Sequence, residues 1–238
     1  MLQQGQAKVG IAPSTTTITF PDGTTLALAD WIDDRLYGTV ELDNGLSSTI
    51  ELFSSARSQQ IPGGTRNQTF VDTNIPKAGS NGLPKDWEML VYGIALKPVR
   101  AERPNSSSQV VLADTNGALS NPLQLNTLFQ IDRVTFFEFR YNDKQYSQGS
   151  LADFPQGNGY NVFSTNSAFE LAQNGVPSPR DRIALVLPIH MKEGLAYTGI
   201  FAPQVSLVIA QPASDRGTNL SSVDVKGTLN GLIKRTVV

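Results

Sequence analysis

Among side chains that do chemistry near neutral pH, this sequence has one histidine and no cysteine. Thiol nucleophiles, disulfide frameworks, Cys/His zinc sites and clusters of imidazole ligands are therefore excluded. His190 closes the apolar run Ile183–Ile189 and, by the two-residue period of a strand, shares a side with Ala184, Val186 and Pro188. A general base needs a partner within hydrogen-bond reach, and the sequence signals none, so His190 reads as a structural histidine. No serine sits in a Gly-x-Ser-x-Gly elbow, which leaves a Ser-His-Asp hydrolase without its signature. Asp33 and Asp34 adjoin each other before Arg35, but paired acid/base carboxylates must face one another, and neighbouring positions do not. Gly157-Asn158-Gly159 lacks the third glycine and the strand-turn-helix setting of a phosphate loop and reads as a turn. No catalytic residue, cofactor-binding residue or metal ligand is assigned, and the chain is expected not to be an enzyme.

Binding chemistry is also thin. Asp43-Asn44 and Asn142-Asp143 carry oxygen ligands that a structural calcium could use, without the Asp-x-Asp-x-Asp-Gly spacing of a dedicated loop. No other cofactor is expected. Trp31, Trp87, Phe136, Phe137 and Phe139 could form a sugar-stacking platform, but aromatic strand residues more often fill a sandwich core or a subunit interface. Lys8, Lys226, Lys234 and Arg235 could meet anionic lipid headgroups. With 19 basic against 21 acidic residues the net charge is −2, so no overall positive field is available for a nucleic-acid backbone. Met1–Lys8 has no apolar core of the kind a secretion signal needs, so synthesis in the cytoplasm is expected. The longest apolar stretches, Met89–Leu96 and Ile183–Ile189, fall short of the roughly 18 residues that span a bilayer, and a soluble protein is expected.

The elements that would position these residues are mostly strands. Gly (20) and Pro (14) punctuate short β-branched and aromatic runs throughout, an all-β pattern. Thr15–Phe20 alternates and ends at the turn Pro21-Asp22-Gly23. Thr39–Leu42 and Thr49–Phe53 flank Asp43-Asn44-Gly45 and read as a hairpin. Further strands are expected at Glu88–Leu96, Gln109–Leu112, Arg133–Tyr141, Arg182–Ile189 and Gln204–Ile209. Two short helices are expected: one on the face Leu28, Trp31, Ile32 and Leu36, the other from the capping-box spacing of Ser167 and Glu170 to a stop at Asn174-Gly175. Met1–Ser14 and Asp215–Val238 read as arms or edge strands.

The two halves echo each other in order. Val40–Gly45 matches Glu138–Asp143, Ile61–Gly64 matches Phe154–Gly157, Phe70–Leu96 matches Phe163–Ile189, and Gln109–Leu112 matches Gln204–Leu207. By subtraction the offsets are 98 (Asn44 to Asn142), 93 (Asn81 to Asn174) and 95 (Gln109 to Gln204). Colinear matches at a nearly constant offset imply duplication, and a unit of about 100 residues accommodates one jelly-roll sandwich.

On the Phe70–Leu96 block, with Thr73-Asn74, a Gly-rich loop, Leu83-Pro84-Lys85-Asp86-Trp87 and an apolar strand, and on its echo at Phe163–Ile189, the chain resembles the double jelly-roll major capsid proteins of tailless icosahedral viruses. The resemblance is to the compact versions in bacteriophages with an internal membrane. It implies an all-β chain of two tandem eight-stranded jelly-roll sandwiches with a few short helices: an N-terminal arm (1–14), a first module (15–122) and a second module with a C-terminal arm (123–238). It implies a major capsid protein, made in the host cytoplasm and located in the virion, whose homotrimers are pseudo-hexagonal capsomers. Neighbouring capsomers, penton or spike proteins and an underlying viral membrane would be its partners, without specific nucleic-acid binding. The rival expectation is a carbohydrate- or receptor-binding β-sandwich, such as a phage spike or a lectin-like module. A third is a sandwich hydrolase with His190 as base.

Overall fold

A computed structural model describes residues 17–102, 131–154, 161–165, 169–173, 183–207 and 222–235. In chain order the strands are β1 (Thr17–Thr19), β2 (Thr25–Ala27), β3 (Trp31–Asp43), β4 (Ile50–Leu52), β5 (Glu88–Glu102) and β6 (Thr135–Tyr141). There follow β7 (Lys144–Ser150), β8 (Asn161–Thr165), β9 (Phe169–Gln173), β10 (Ile183–Met191), β11 (Tyr197–Pro203) and β12 (Ser222–Lys234). Among the described residues, helix is limited to a turn at 131–134 and two 3-10 turns, so the chain is all-β.

Period-two alternation explains the long strands. In β6, Phe137, Phe139 and Tyr141 are buried in the core, while Arg140 points to the opposite face and is exposed. In β3, Leu36, Val40 and Leu42 join the same core, and Tyr37, Thr39 and Glu41 lie on the other side. Leu28, Trp31, Ile32 and Leu36 therefore belong to a strand or its approach, not to the expected helix. All 13 residues of β3 pair with β12, and that continuous ladder outweighs a weak helical period. Glu170 likewise lies in β9, opposite Ser164 of β8, where a second helix was expected.

The main strands form two antiparallel sheets, in the orders β10-β5-β12-β3 and β4-β11-β6-β7. Their pairing is nested: β3 with β12, β4 with β11, β5 with β10, and β6 with β7. Additional ladders, β12 with β5 and β11 with β6, close each sheet. An eight-stranded ribbon folded on itself in this way and rolled into two sheets is one jelly roll. The β1–β2 hairpin precedes it, and the β8–β9 hairpin is inserted between β7 and β10.

The expected division into modules 15–122 and 123–238 does not describe these sheets. β12 lies between β3 and β5, and β11 lies between β4 and β6, so each sheet draws strands from both halves. Apart from the β1–β2 and β8–β9 hairpins, the described strands make one sandwich with one core. The internal echo has a local cause: Gly45 (φ +84°) and Asn142-Asp143 (φ +48° and +60°) are strand-end turns of one antiparallel fold, which repeats such turns at short intervals. Asp43-Asn44-Gly45 turns the chain, but from β3 in one sheet to β4 in the other, so it is a corner and not a hairpin. Gln204–Leu207 lies outside any strand, just after β11. The expected strand Gln109–Leu112 falls outside the described residues. Most consequential is the C-terminal segment: residues 222–234, expected in an arm or edge strand, are the inner strand β12.

Between the sheets the space is filled. Phe53, Phe137, Phe139, Phe154, Tyr197 and Phe201 are almost wholly buried, with the Phe137 ring 4.9 Å from that of Phe154 and 5.1 Å from that of Phe201. Contact between layers is close: a Cβ added to Gly227 of β12 would lie 2.2 Å from Leu52 Cδ2 of β4. The β4–β5 loop, residues 53–87, also covers the free edge of β3. Glu41 N donates to Pro62 O (2.9 Å), Thr39 Oγ1 to Asp72 O (2.7 Å), and Tyr37 N to Asn74 Oδ1 (2.8 Å). An edge that would otherwise offer unpaired backbone groups is thereby satisfied.

Candidate functional site

The outer face of the β10-β5-β12-β3 sheet carries two groups of polar side chains held in defined geometry, one around Arg66 and one around His190. Alternation along β12 puts Val223 and Val225 in the core and turns Asp224 and Lys226 outward. Asp224 is nevertheless 1% exposed, because Arg66 of the β4–β5 loop folds over it. Arg66 Nη2 donates to Asp224 Oδ2 at 2.6 Å, and the guanidinium forks onto Asp72 at 2.8 and 2.9 Å. Asp72 also accepts from Thr69 N (2.7 Å) and Thr69 Oγ1 (2.8 Å). Burial pushes the Asp72 carboxyl up, but the Arg66 guanidinium and the two Thr69 donors together hold it below the ordinary carboxylate value. Burial likewise opposes the charge on Arg66, and the two carboxylates outweigh it. This group has no nucleophile; it ties a loop to a sheet.

The loop so anchored presents Phe70 and Val71 to solvent. Tyr37 Oη donates to Phe70 O at 2.7 Å, and the Lys226 ammonium donates to Val71 O. Arg57 lies 3.9 Å from the Phe70 ring centre, and Lys226 Nζ lies 4.6 Å from that of Tyr37.

His190 stands near the other end of the same sheet. Its Nε2 is 2.6 Å from Glu88 Oε2, Lys234 Nζ is 3.6 Å from Glu88 Oε1, and the imidazole stacks on Phe20 at 5.8 Å and 16°. Trp31 meets it edge-on at 6.1 Å. The partner that the sequence did not signal is thus a cross-strand diagonal neighbour: His190 pairs with Leu90, two residues from Glu88. With one ring nitrogen on a carboxylate and aromatic rings against it, His190 fastens the segment between β1 and β2 to the sheet.

The other expected candidates scatter. Asp33 and Asp34 alternate along β3, and Asp34 lies 3.8 Å from Arg235. Phe137 and Phe139 are core, while Trp87 packs at the core's margin under Arg235, 5.7 Å from its ring centre. Lys226 and Lys234, grouped in the sequence, are the fifth and the last residue of the 13-residue β12 and lie eight positions apart along it. Asp143 rims a depression of about 250 Å³ on the second sheet, lined also by Glu51, Arg140 and Thr198. Among the described residues no group of three or more His, Asp or Glu side chains is placed to hold a metal ion. Gly157-Asn158-Gly159 and Lys8 lie outside the described residues. Sequence reasoning missed Arg66, Asp72 and Asp224; the only local signal was the Thr69-to-Asp72 spacing around two apolar residues.

Among the described residues, two four-stranded sheets enclose a packed interior and carry their polar groups on the outer faces. No family model, curated protein or solved structure matches the chain.

Proposed function

We propose that this chain is a structural protein, a jelly-roll subunit that self-associates into a virion shell and works by association, without a bond-making step. The observation that carries the reading is the winding itself, eight strands in nested pairs around an interior filled by aromatic side chains. Jelly rolls serve as capsid subunits, lectins and cupin-type ligand sites. A cupin-type site needs an open interior, which Phe137, Phe139, Phe154 and Phe201 occupy here. Surface-borne functions are left, and assembly is favoured by Val186 and Leu187, 97% and 53% exposed where the register of edge strand β10 breaks between Ala184 and Ile189. Apolar side chains raised on an edge are suited to lateral contact with another subunit. A subunit with the one sandwich of the described residues would change the geometry: three chains would make a three-lobed particle, and a hexagonal capsomer would take six.

Light scattering with negative-stain microscopy of the purified chain, with and without calcium, tests this. Discrete homo-oligomers or closed shells are expected, and Val186→Asp with Leu187→Asp shifts them toward monomer without loss of β-sheet circular dichroism. A monomer at every concentration overturns the proposal. The second reading, a glycan-binding module, draws on the depression where Glu51, Arg140 and Asp143 could hydrogen-bond hydroxyl groups beside the apolar lining of Tyr197 and Ile200; saturable glycan binding lost on Arg140→Ala would establish it instead.

A further inference from the structure

Assembly leaves unexplained the tip of the β4–β5 loop. Phe70 and Val71 are 68% and 74% exposed, although their backbone is pinned from beneath by Tyr37, Lys226 and the Thr69–Asp72 bonds. The fold therefore holds two apolar side chains outward when a looser turn would let them collapse onto the sheet. Cations surround them. Arg57 covers one face of the Phe70 ring, Arg35 lies 6.0 Å from the Tyr37 ring centre, and Lys226 faces Lys97 directly across the β12–β5 ladder. Two ammonium groups opposed on one sheet face repel, a cost that an incoming anion would relieve. Burial lowers the pKa of both lysines, the direction expected where positive charge is under-solvated. Asp72, which follows the tip in the chain, and Asp224 are turned onto Arg66.

We propose that this tip docks on an anionic phospholipid surface, with Phe70 and Val71 entering the acyl boundary while Arg35, Arg57, Lys97 and Lys226 meet headgroup phosphates. The complementarity is double. A free phosphate would answer the cations and leave the apolar side chains in water; an apolar protein partner would cover Phe70 and Val71 and bury cations against itself. The proposal does not rest on the shell reading, since it uses a different part of the surface from Val186 and Leu187.

Flotation of the full chain with vesicles of phosphatidylcholine, alone or with about a third phosphatidylglycerol, tests it at low and high salt. The anionic vesicles are expected to raise the bound fraction about tenfold, and high salt to reverse this. Phe70→Ser with Val71→Ser is expected to reduce binding about tenfold with an unchanged melting temperature, because both side chains are exposed. Lys97→Gln with Lys226→Gln is expected to abolish the preference for phosphatidylglycerol, and Arg57→Gln, at an exposed position, weakens it without touching the loop's anchors. Binding that ignores lipid charge, an absence of binding, or binding unaffected by the Phe70/Val71 pair overturns the proposal. Full competition by inorganic phosphate together with insensitivity to that pair would identify a free-anion site instead. Val186→Asp with Leu187→Asp retains flotation, so failure of assembly and failure of lipid docking are read separately.

Discussion

At the level of single residues, the sharpest dependence is on Arg66. Asp224 and Asp72 tolerate burial because one guanidinium, held between them, hydrogen-bonds both. Arg66→Met strands two buried carboxylates and is expected to cost about 3–5 kcal/mol in urea unfolding. Arg66→Lys keeps the charge but lacks the planar fork, so it recovers only part of that loss. Because the fold holds Asp72 below its unfolded value of 3.8, its contribution is complete above pH 3.8 and disappears as pH falls through the lower folded value. Asp72→Asn should accordingly lower stability at neutral pH and flatten the acid limb of the stability profile, as followed by circular dichroism. Asp132 behaves in the opposite sense, since burial pushes its carboxyl up to about 7. Between 3.8 and about 7 the unfolded chain ionises and the folded one resists, so stability falls as pH rises through that window. Asp132→Asn is expected to remove that fall and to raise the melting temperature at pH 8 more than at pH 4.

Among the elements, β12 governs the fold, as it carries ladders to both β3 and β5. Gly231 lies in it beside a register shift, and a Cβ there would come 1.9 Å from Leu90 O. Backbone cannot move aside as a flexible side chain can, so Gly231→Ala should destabilise by about 2–3 kcal/mol in the same urea assay. A companion at Gly23, where φ is +84° and nothing lies within 4 Å of the added carbon, should cost about 1 kcal/mol from backbone strain alone. The sequence made β5, β6 and β10 legible because each is a long apolar or alternating run bounded by turn residues. It hid β12, whose Val223, Val225, Leu229 and Ile233 are interrupted by Gly227, Asn230 and Gly231. Those glycines weaken the local signal, yet they are what lets β12 approach Leu52 and Leu90. Tyr197–Pro203 was hidden similarly, because Gly199 breaks the pattern where Phe137 packs against it.

At the scale of the whole molecule, the one sandwich and continuous core that the described residues share predict a single cooperative unfolding transition. Calorimetry should find equal van't Hoff and calorimetric enthalpies in any state that remains monomeric, whereas two independent modules would give two transitions or a smaller ratio. The sequence by itself determined that the chain is all-β, since turn residues and period-two runs are local properties that each strand carries alone. It also determined that thiol chemistry and a multi-histidine metal site are excluded, which composition settles. Only the tertiary structure decided how the described strands are shared between the two sheets, because strand pairing is non-local: matching turns at a constant offset do not say which strands meet, and the pairing of β3 with β12 and β4 with β11 joins segments from opposite ends of the chain. The same reason applies to the sites. Glu88 and His190, or Arg66 and Asp224, are far apart in the chain, and nothing in either segment specifies the other until the sheets have wound together.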